Sequence, residues 1–387
     1  MRFIYHHRIA SKDGQTTHID EVVNSIKAAG HECIICAPNV HTNDSGTGGS
    51  AGWVGVLRRS LPGAVYELAE TAYMFILFAR LLRATLREKP DVIYERYALF
   101  NVAGVWVSKL TGVPLIMEVN TPYAESRAIY NGLKLRRFAQ WIEELTWRGA
   151  NVVLPVSSVM ADIVVKAGVP RNKIHVIPNA INPEDFANLP DATKIRTQLH
   201  LDNTVIIGFT GFVREWDHLD RILTWMSENP QFPFLHLLIV GDGPVRGELE
   251  DQAKALRISH RLHFTGIVKR TDVATYAQVF DVALQTALVP YASPLCLFEY
   301  LALGKPIVAP DQPNHHEILN NGIDSLLFTP GSETSIGQCI SKLADDPVLR
   351  RTLGKNARAT LIRRQFTWQK NAEKIIKIAE ELVIQRT

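Results

Sequence analysis

Short apolar runs and amphipathic stretches alternate along the whole chain. RFIYHH at residues 2–7 reads as a strand, SKDGQTTH as a turn-rich loop, HIDEVVNSIKAAG as a helix stopped by Gly30, and HECIICAP as the next strand. A strand–helix–strand unit with short links implies a parallel pair, because parallel strands need a crossover between them. VHTNDSGTGGSAGW then reads as a Gly/Ser/Asn-rich loop. The alternation resumes with DVIYER, VAGVWVSKLTG and VPLIMEVN, and continues through ANVVLPVS, a helix to Val165, and the strand KIHVIPNA. A second series starts near Thr204 with TVIIGFTG, LDRILTWMSEN, FLHLLIVGDGP and GELEDQAKALRI; RLHFTG, VATYAQVF, DVALQTA, LFEYLALG and PIVAP complete it. This pattern predicts an α/β protein with parallel sheets. Two doubly wound halves would take ligands at the carboxyl ends of their strands, in a cleft between them. NPEDFANLPDATK is the expected linker.

The length agrees: 387 residues suit two domains of roughly 150–200 residues each. With 46% apolar and 21% charged residues, the composition excludes a disordered chain, a collagen-like repeat and a disulfide-stapled mini-protein. A net charge of +3 is near balance and gives no reason to expect nucleic acid as a partner. Cys33 and Cys36 form a C-x-x-C, but inside HECIICAP they read as strand residues, with a metal or redox pair as the rival reading. The N-terminus carries no apolar signal core, and the longest apolar stretch, Tyr73 to Leu82, is broken by Arg80. A soluble, cytoplasmic protein is expected.

The densest constellation is PYASPLCLFEYLALGKPIVAP, Pro290 to Pro310. Ser293 can cap a helix, Pro294 suits the first helical position, and Gly304 stops the helix before the strand PIVAP. Glu299 sets a carboxylate into this apolar helix, and two readings are open. It can accept hydrogen bonds from paired sugar hydroxyls while the helix end takes a diphosphate, or it can pair with a nearby Lys or Arg on the surface. His6, His7 and His18 read as core or surface residues. His315 and His316, in DQPNHHEIL, either meet a ligand or pack. No His/Asp/Glu set has metal spacing. From Leu57 to Lys89, Arg58, Arg59, Arg80, Arg83, Arg87 and Lys89 mix with Tyr73, Phe75, Ile76, Phe78 and Leu81. That mixture suits a helix on an anionic membrane surface or an amphipathic helix packed on its own sheet.

These segments resemble the family-4 retaining glycosyltransferases of the GT-B fold, whose donor-side pattern is a Glu, seven residues, a second Glu, an Ala/Gly helix end and GKP-V-A. VSSVMADIVVKAGVPRNKIHVIPNAINPEDF resembles the family's hinge-proximal segment, and GFTGFVREWDHLDRIL its phosphate-binding loop. IVGDGPVRGELE and LHFTGIVKRTDVATYAQVFDVAL resemble the two segments that follow. The resemblance implies two Rossmann-like domains facing across a cleft. Residues 1–182, completed by the helix at 367–387, would hold the acceptor, and residues 183–366 the nucleotide-sugar. It further implies retaining transfer of a sugar from a nucleotide diphosphate sugar to a glycan or lipid-linked acceptor in polysaccharide or glycoconjugate synthesis. No metal or other cofactor is expected, and a peripheral contact at the inner face of the membrane is.

Position by position, the resemblance assigns Arg214 to the diphosphate and Glu299 to the ribose hydroxyls, as the catalytic pair. Ser293, Pro294 and Leu295 would form the helix start under the phosphates. Gly241, Gly243 and Tyr291 would line the donor site, and Ile267 and Val268 would contact the base. Gly14 and Gln15 match a glycine loop near the donor sugar and acceptor, and Glu118 and Asn120 match cleft-facing acceptor positions. The chain also departs from the pattern. Tyr291 stands for the first Glu, Asp217 for a Lys, His218 for the Gly after it, Cys296 for a Lys, and Ala180 for a Gly. A charge-assisted hydrogen bond contributes about 1.5–3 kcal/mol, so these losses motivate an alternative: a catalytically silent GT-B protein acting as a binding or regulatory partner. A related epimerase or phosphorylase is a third reading.

Overall fold

The computed structural model describes residues 1–9, 14–38, 61–130 and 132–386. They form two compact units. The first is Met1–Asn179 with Tyr291–Ser293 and Trp368–Thr387, and the second is Ala180–Pro290 with Pro294–Thr367.

In the first unit the order is β1 (Arg2–His6), α1 (Gly14–Ala28), β2 (Glu32–Cys36), α2 (Gly63–Ala72), α3 (Met74–Glu88), β3 (Val92–Arg96), α4 (Ala103–Thr111), β4 (Leu115–Val119), α5 (Tyr123–Tyr130), α6 (Arg136–Gly149), β5 (Val152–Pro155) and α7 (Ser158–Lys166). The strands form one parallel sheet in the order β2-β1-β3-β4-β5. Successive residues alternate between its two faces. Ile4, Ile93, Met117 and Val153 share an apolar cluster with Leu81 and Trp147, while Tyr5, Tyr94 and Ile116 are buried on the other side. Burial on both faces is what a parallel sheet requires.

The second unit continues with α8 (Ala192–Gln198), β6 (Val205–Thr210), α9 (Leu219–Glu228), β7 (Leu235–Val240), α10 (Arg246–Ala255), β8 (Leu262–Phe264), α11 (Arg270–Ala277) and β9 (Val282–Leu284). After them come α12 (Leu295–Ala302), β10 (Ile307–Pro310), α13 (Pro313–His316), β11 (Ser325–Phe328), α14 (Glu333–Asp345) and α15 (Pro347–Arg364). Its sheet is parallel, in the order β11-β10-β9-β6-β7-β8. Ile207, Leu237 and Ile239 enter one apolar cluster, and Ile206, Leu238 and Val240 the other. The closing helix α16 (Trp368–Ile384) packs on α1 and is part of the first unit.

Several expectations need correction. Thr16, Thr17 and His18 are helical, because α1 opens at Gly14 rather than after the loop. KIHVIPNA is not a strand: beside β5 it makes one isolated bridge, Val153 to Ile174, with hydrogen bonds from His175 and Ile177 to Val153 and Pro155 carbonyls. Pro155 has no N–H to return, which breaks the ladder. The stretch expected as the linker, 182–194, lies within the second unit, where Phe186 and Ala192 pack on its core. The Gly/Ser-rich stretch at 40–53 and the basic residues Arg58 and Arg59 lie outside the described residues.

Candidate active site

In each sheet the chain order reverses between two neighbouring strands, β1 and β3 in the first unit and β6 and β9 in the second. Loops leaving the carboxyl ends on either side of such a switch point diverge and leave room for a ligand. In the second unit, β6 delivers Gly211, Phe212, Val213 and Arg214 to that edge, and β7 delivers Gly241, Asp242 and Gly243. The two loops lie backbone against backbone: Gly211 N–H donates to Val240 O at 3.1 Å, and Val213 N–H to Asp242 O at 2.9 Å. A Cβ on Gly241 would sit 2.0 Å from Gly211 O, and one on Gly243 2.0 Å from Val213 O. Close packing of the loop that carries Arg214 therefore requires both glycines.

Arg214 is exposed, and its guanidinium lies over Phe212 at 4.7 Å and Trp216 at 5.2 Å. Two aromatic faces hold the charge extended without neutralising it. Asp217 is buried and accepts the Arg214 main-chain N–H at 2.7 Å. Burial raises its pKa to about 6, against the lowering pull of Arg214. The Thr286 hydroxyl donates to Asp217 O and ties the β9 loop to this turn. His218 adopts φ 50°, ψ 36°, the left-handed conformation a glycine adopts freely and other residues reach at a cost of about 1 kcal/mol.

Helix α12 begins at Leu295. Pro294 is its N-cap, extended at φ −67°, ψ 126°, and no side chain caps it. Ser293 therefore does not cap the helix as expected, because the extended proline places it outside the first turn. Glu299 lies on α12 with a side chain only 7% exposed, and it is ion-paired with Arg270, the first residue of α11. The pairing with an arginine that the second reading expected at the surface is present, on a carboxylate that is nearly buried. The Cys296 thiol donates to Gln285 Oε1 at 3.0 Å; burial first, then Glu299 and Asp217, push its pKa up, so the thiol stays neutral. Ile267 is exposed just after Gly266, and Val268 packs partly on the core.

The first unit holds the remaining candidates. Gly14 and Gln15 are the opening residues of α1, not a loop. Glu118, expected to face a cleft, is only 3% exposed. It lies opposite Arg96 in the β3–β4 register and is ion-paired with it. Tyr94 OH donates to its Oε2 at 2.8 Å, His18 Nε2 lies 2.9 Å away, and Asn120 Nδ2 donates to Oε1. Burial alone would raise the carboxyl pKa; the charges of His18 and Arg96 outweigh it and hold it well below the usual range. Glu118 is an internal anchor. From His18 the chain of contacts continues: Nδ1 meets Asn179 Oδ1 at 2.7 Å, and Asn179 N–H donates to Ser293 Oγ at 3.0 Å. Tyr291 packs on the first unit's apolar cluster, and its carbonyl accepts the Ser157 hydroxyl at 2.8 Å.

Other candidates resolve as structure. Cys33 and Cys36, three apart on β2, point to opposite faces and cannot bridge; burial raises the Cys33 thiol to about 11. His6 pairs with Glu95 at 2.6 Å, both buried. His315 is buried with Nδ1 3.0 Å from Pro310 O, and burial lowers its pKa to about 4. Among the described residues, no three His, Cys, Asp or Glu side chains are grouped to hold a metal. Arg270, Arg96 and the His18 contacts escaped the sequence reading. The one available signal was a charged pair, Glu95–Arg96, ending an apolar strand.

Residues 12–185 match the model of Glycosyltransferase Family 4, and residues 191–360 that of Glycosyl transferases group 1. The chain is 22% identical over 382 residues to the GDP-mannose-dependent alpha-mannosyltransferase of Mycolicibacterium smegmatis, covering 97% of this chain and 95% of that protein. It is 22% identical over 364 residues to the alpha-monoglucosyldiacylglycerol synthase of Acholeplasma laidlawii, covering 89% and 88%. Among solved structures, Anabaena HepE in complex with UDP superposes with a TM-score of 0.76 at 17% identity, covering 98% of this chain and 100% of that one. Two parallel-sheet α/β domains of this kind are the GT-B fold of glycosyltransferases. The two matches together identify a family-4-like glycosyltransferase, as the motifs implied.

Proposed function

We propose that the protein transfers a sugar, with retention of configuration, from a nucleotide diphosphate sugar to a glycan or lipid-linked acceptor in polysaccharide or glycoconjugate synthesis. The observation that carries this reading is the carboxyl edge of the second sheet. There an exposed Arg214 stands on the β6 loop, and Glu299 sits on α12 beside the β9 loop at the same switch point. In this reading the guanidinium and the first amides of α12 take the diphosphate, and Glu299 accepts the ribose hydroxyls. The C1–O bond to the diphosphate breaks as the acceptor oxygen bonds to C1 on the same face, and the acceptor's proton leaves with the diphosphate. Stabilising the departing charge is the main contribution of the protein. HepE binding UDP and the mannosyltransferase's use of GDP-mannose support a nucleotide-sugar donor.

A lipid-linked acceptor is supported by the diacylglycerol-glucosylating relative and by α3. Its outward face carries Phe75, 59% exposed, and Ile76, 54% exposed, with Leu86, Arg83 and Arg87 at helical spacing beside them. Its inner face buries Leu77 and Leu81. Among the described residues, no helix is long and apolar enough to cross a membrane. A panel of nucleotide-sugars assayed for hydrolysis and transfer tests the reading. Wild type should release one nucleoside diphosphate, and Arg214→Ala should cut turnover by roughly 100-fold or more. Unchanged turnover in that variant refutes the role of Arg214.

A further inference from the structure

We propose that Arg270 is a positioning residue of the donor site, acting on the ribose through Glu299; this rests on the donor reading above. Glu299 is nearly buried, and its neighbours leave it little other support. The Cys296 thiol is engaged with Gln285, the Tyr300 hydroxyl meets the Thr210 main-chain N–H at 2.9 Å, and Asp217 is occupied by the Arg214 main-chain N–H. Arg270 supplies the cation. Its Nη1 holds Oε1 of Glu299 while its own side chain stays 43% exposed.

That geometry has a chemical consequence. A carboxylate offers lone pairs on both oxygens. Pinning Oε1 with a guanidinium fixes the plane of the group and leaves Oε2 to accept hydroxyls from a vicinal diol. Orientation before binding removes rotamer freedom that the ligand would otherwise have to immobilise. Arg270 comes from the right place for this task. It opens α11 three residues after the exposed Ile267, so the loop assigned to the base also carries the residue that sets the ribose acceptor. It also places a positive charge close to α12, whose Cys296 and Glu299 carry none. Selectivity for a ribose diol is thus shared between Glu299 and a residue on the neighbouring helix.

Calorimetric titration of the full chain with uridine, guanosine and adenosine diphosphates, and with their 2′,3′-dideoxy forms, tests this. Wild type should bind one ribonucleotide at least tenfold more tightly than its dideoxy form. Arg270→Ala should shrink that ratio to below threefold while still binding the dideoxy form, and Arg270→Lys should recover part of the ratio. Glu299→Gln should lose the ratio as well, and adding Arg270→Ala to it should change nothing further. If Arg270→Ala keeps the wild-type ratio, or weakens both forms equally, the proposal is overturned. A wild type that binds a diphosphate without preferring ribose overturns it too. A wild type that binds none of the three overturns the donor reading itself, and this inference with it.

Discussion

Glu118→Gln is the sharpest test of the first unit's interior. The change is nearly isosteric, so it leaves no cavity and isolates the lost charge. Arg96, 6% exposed, then keeps its guanidinium out of water with no carboxylate opposite, and His18 and Tyr94 lose their acceptor's charge. Removing one partner of a buried pair costs about 3–5 kcal/mol. In a unit of about 200 residues, each kcal/mol moves the melting temperature by roughly 2–4 °C, so a drop of roughly 6–20 °C is expected. The pH dependence follows from the lowered carboxyl pKa. The contribution is fully present above the ordinary value of 4.5 and is lost as pH falls toward the depressed folded value. The gap between wild type and variant should therefore be full at pH 7 and narrow below about pH 4.5. Differential scanning calorimetry from pH 4 to 8 reads both effects. A variant that melts within 2 °C of wild type at pH 7, or a gap that widens on acidification, would show that Glu118 is not the anchor described.

Three further predictions use other parts of the molecule. Gly241→Ala should destabilise by at least about 2 kcal/mol, because φ is 143° and the new Cβ would meet Gly211 O at 2.0 Å. Gly247→Ala, with open space around the Cβ on α10, should instead stabilise by about 0.5–1 kcal/mol, and urea unfolding distinguishes them. Burial raises Glu143 from 4.5 to about 8, so its neutral form contributes stability that is full below pH 4.5, drains away between pH 4.5 and 8 at roughly 1.4 kcal/mol per pH unit, and is gone above 8. Glu143→Gln should flatten that slope in melting curves from pH 5 to 9. Asp217, raised to about 6, acquires its charge above that pH beside the loop of Arg214. Nucleoside diphosphate affinity in wild type should fall from pH 5.5 to 7.5 relative to Asp217→Asn, and parallel profiles would refute the effect.

Much of the architecture is legible in the order of apolar runs, because a parallel sheet covered on both faces needs strands that are apolar throughout and helices that are apolar on one side. β6 to β9 and the helices between them follow that rule. The failures are local. Ile174 to Ile177 carry strand-like side chains, yet pairing depends on whether the neighbour has an N–H to give, and Pro155 does not. Ser293 has the composition of a helix cap, yet capping depends on the ψ of Pro294.

The site divides along the same line. Gly241, Gly243 and Glu299 stand out in the sequence because their residue types are unusual where they occur: glycines after a strand, a carboxylate in an apolar helix. Which groups each one meets is not a property of the chain order. Arg270 reaches Glu299 across 29 residues and Arg96 reaches Glu118 across 22. Glu118 matches a cleft-facing acceptor position by its place at the end of a strand, but that place does not reveal burial; only the packing of α1 and the cross-strand register with Arg96 do. Residue types and their periodicity are local, so the sequence by itself determined the strand–helix alternation and the family. Charge pairing and burial depend on distant segments meeting, so the tertiary structure alone decided how deeply each carboxylate is buried and which arginine it meets.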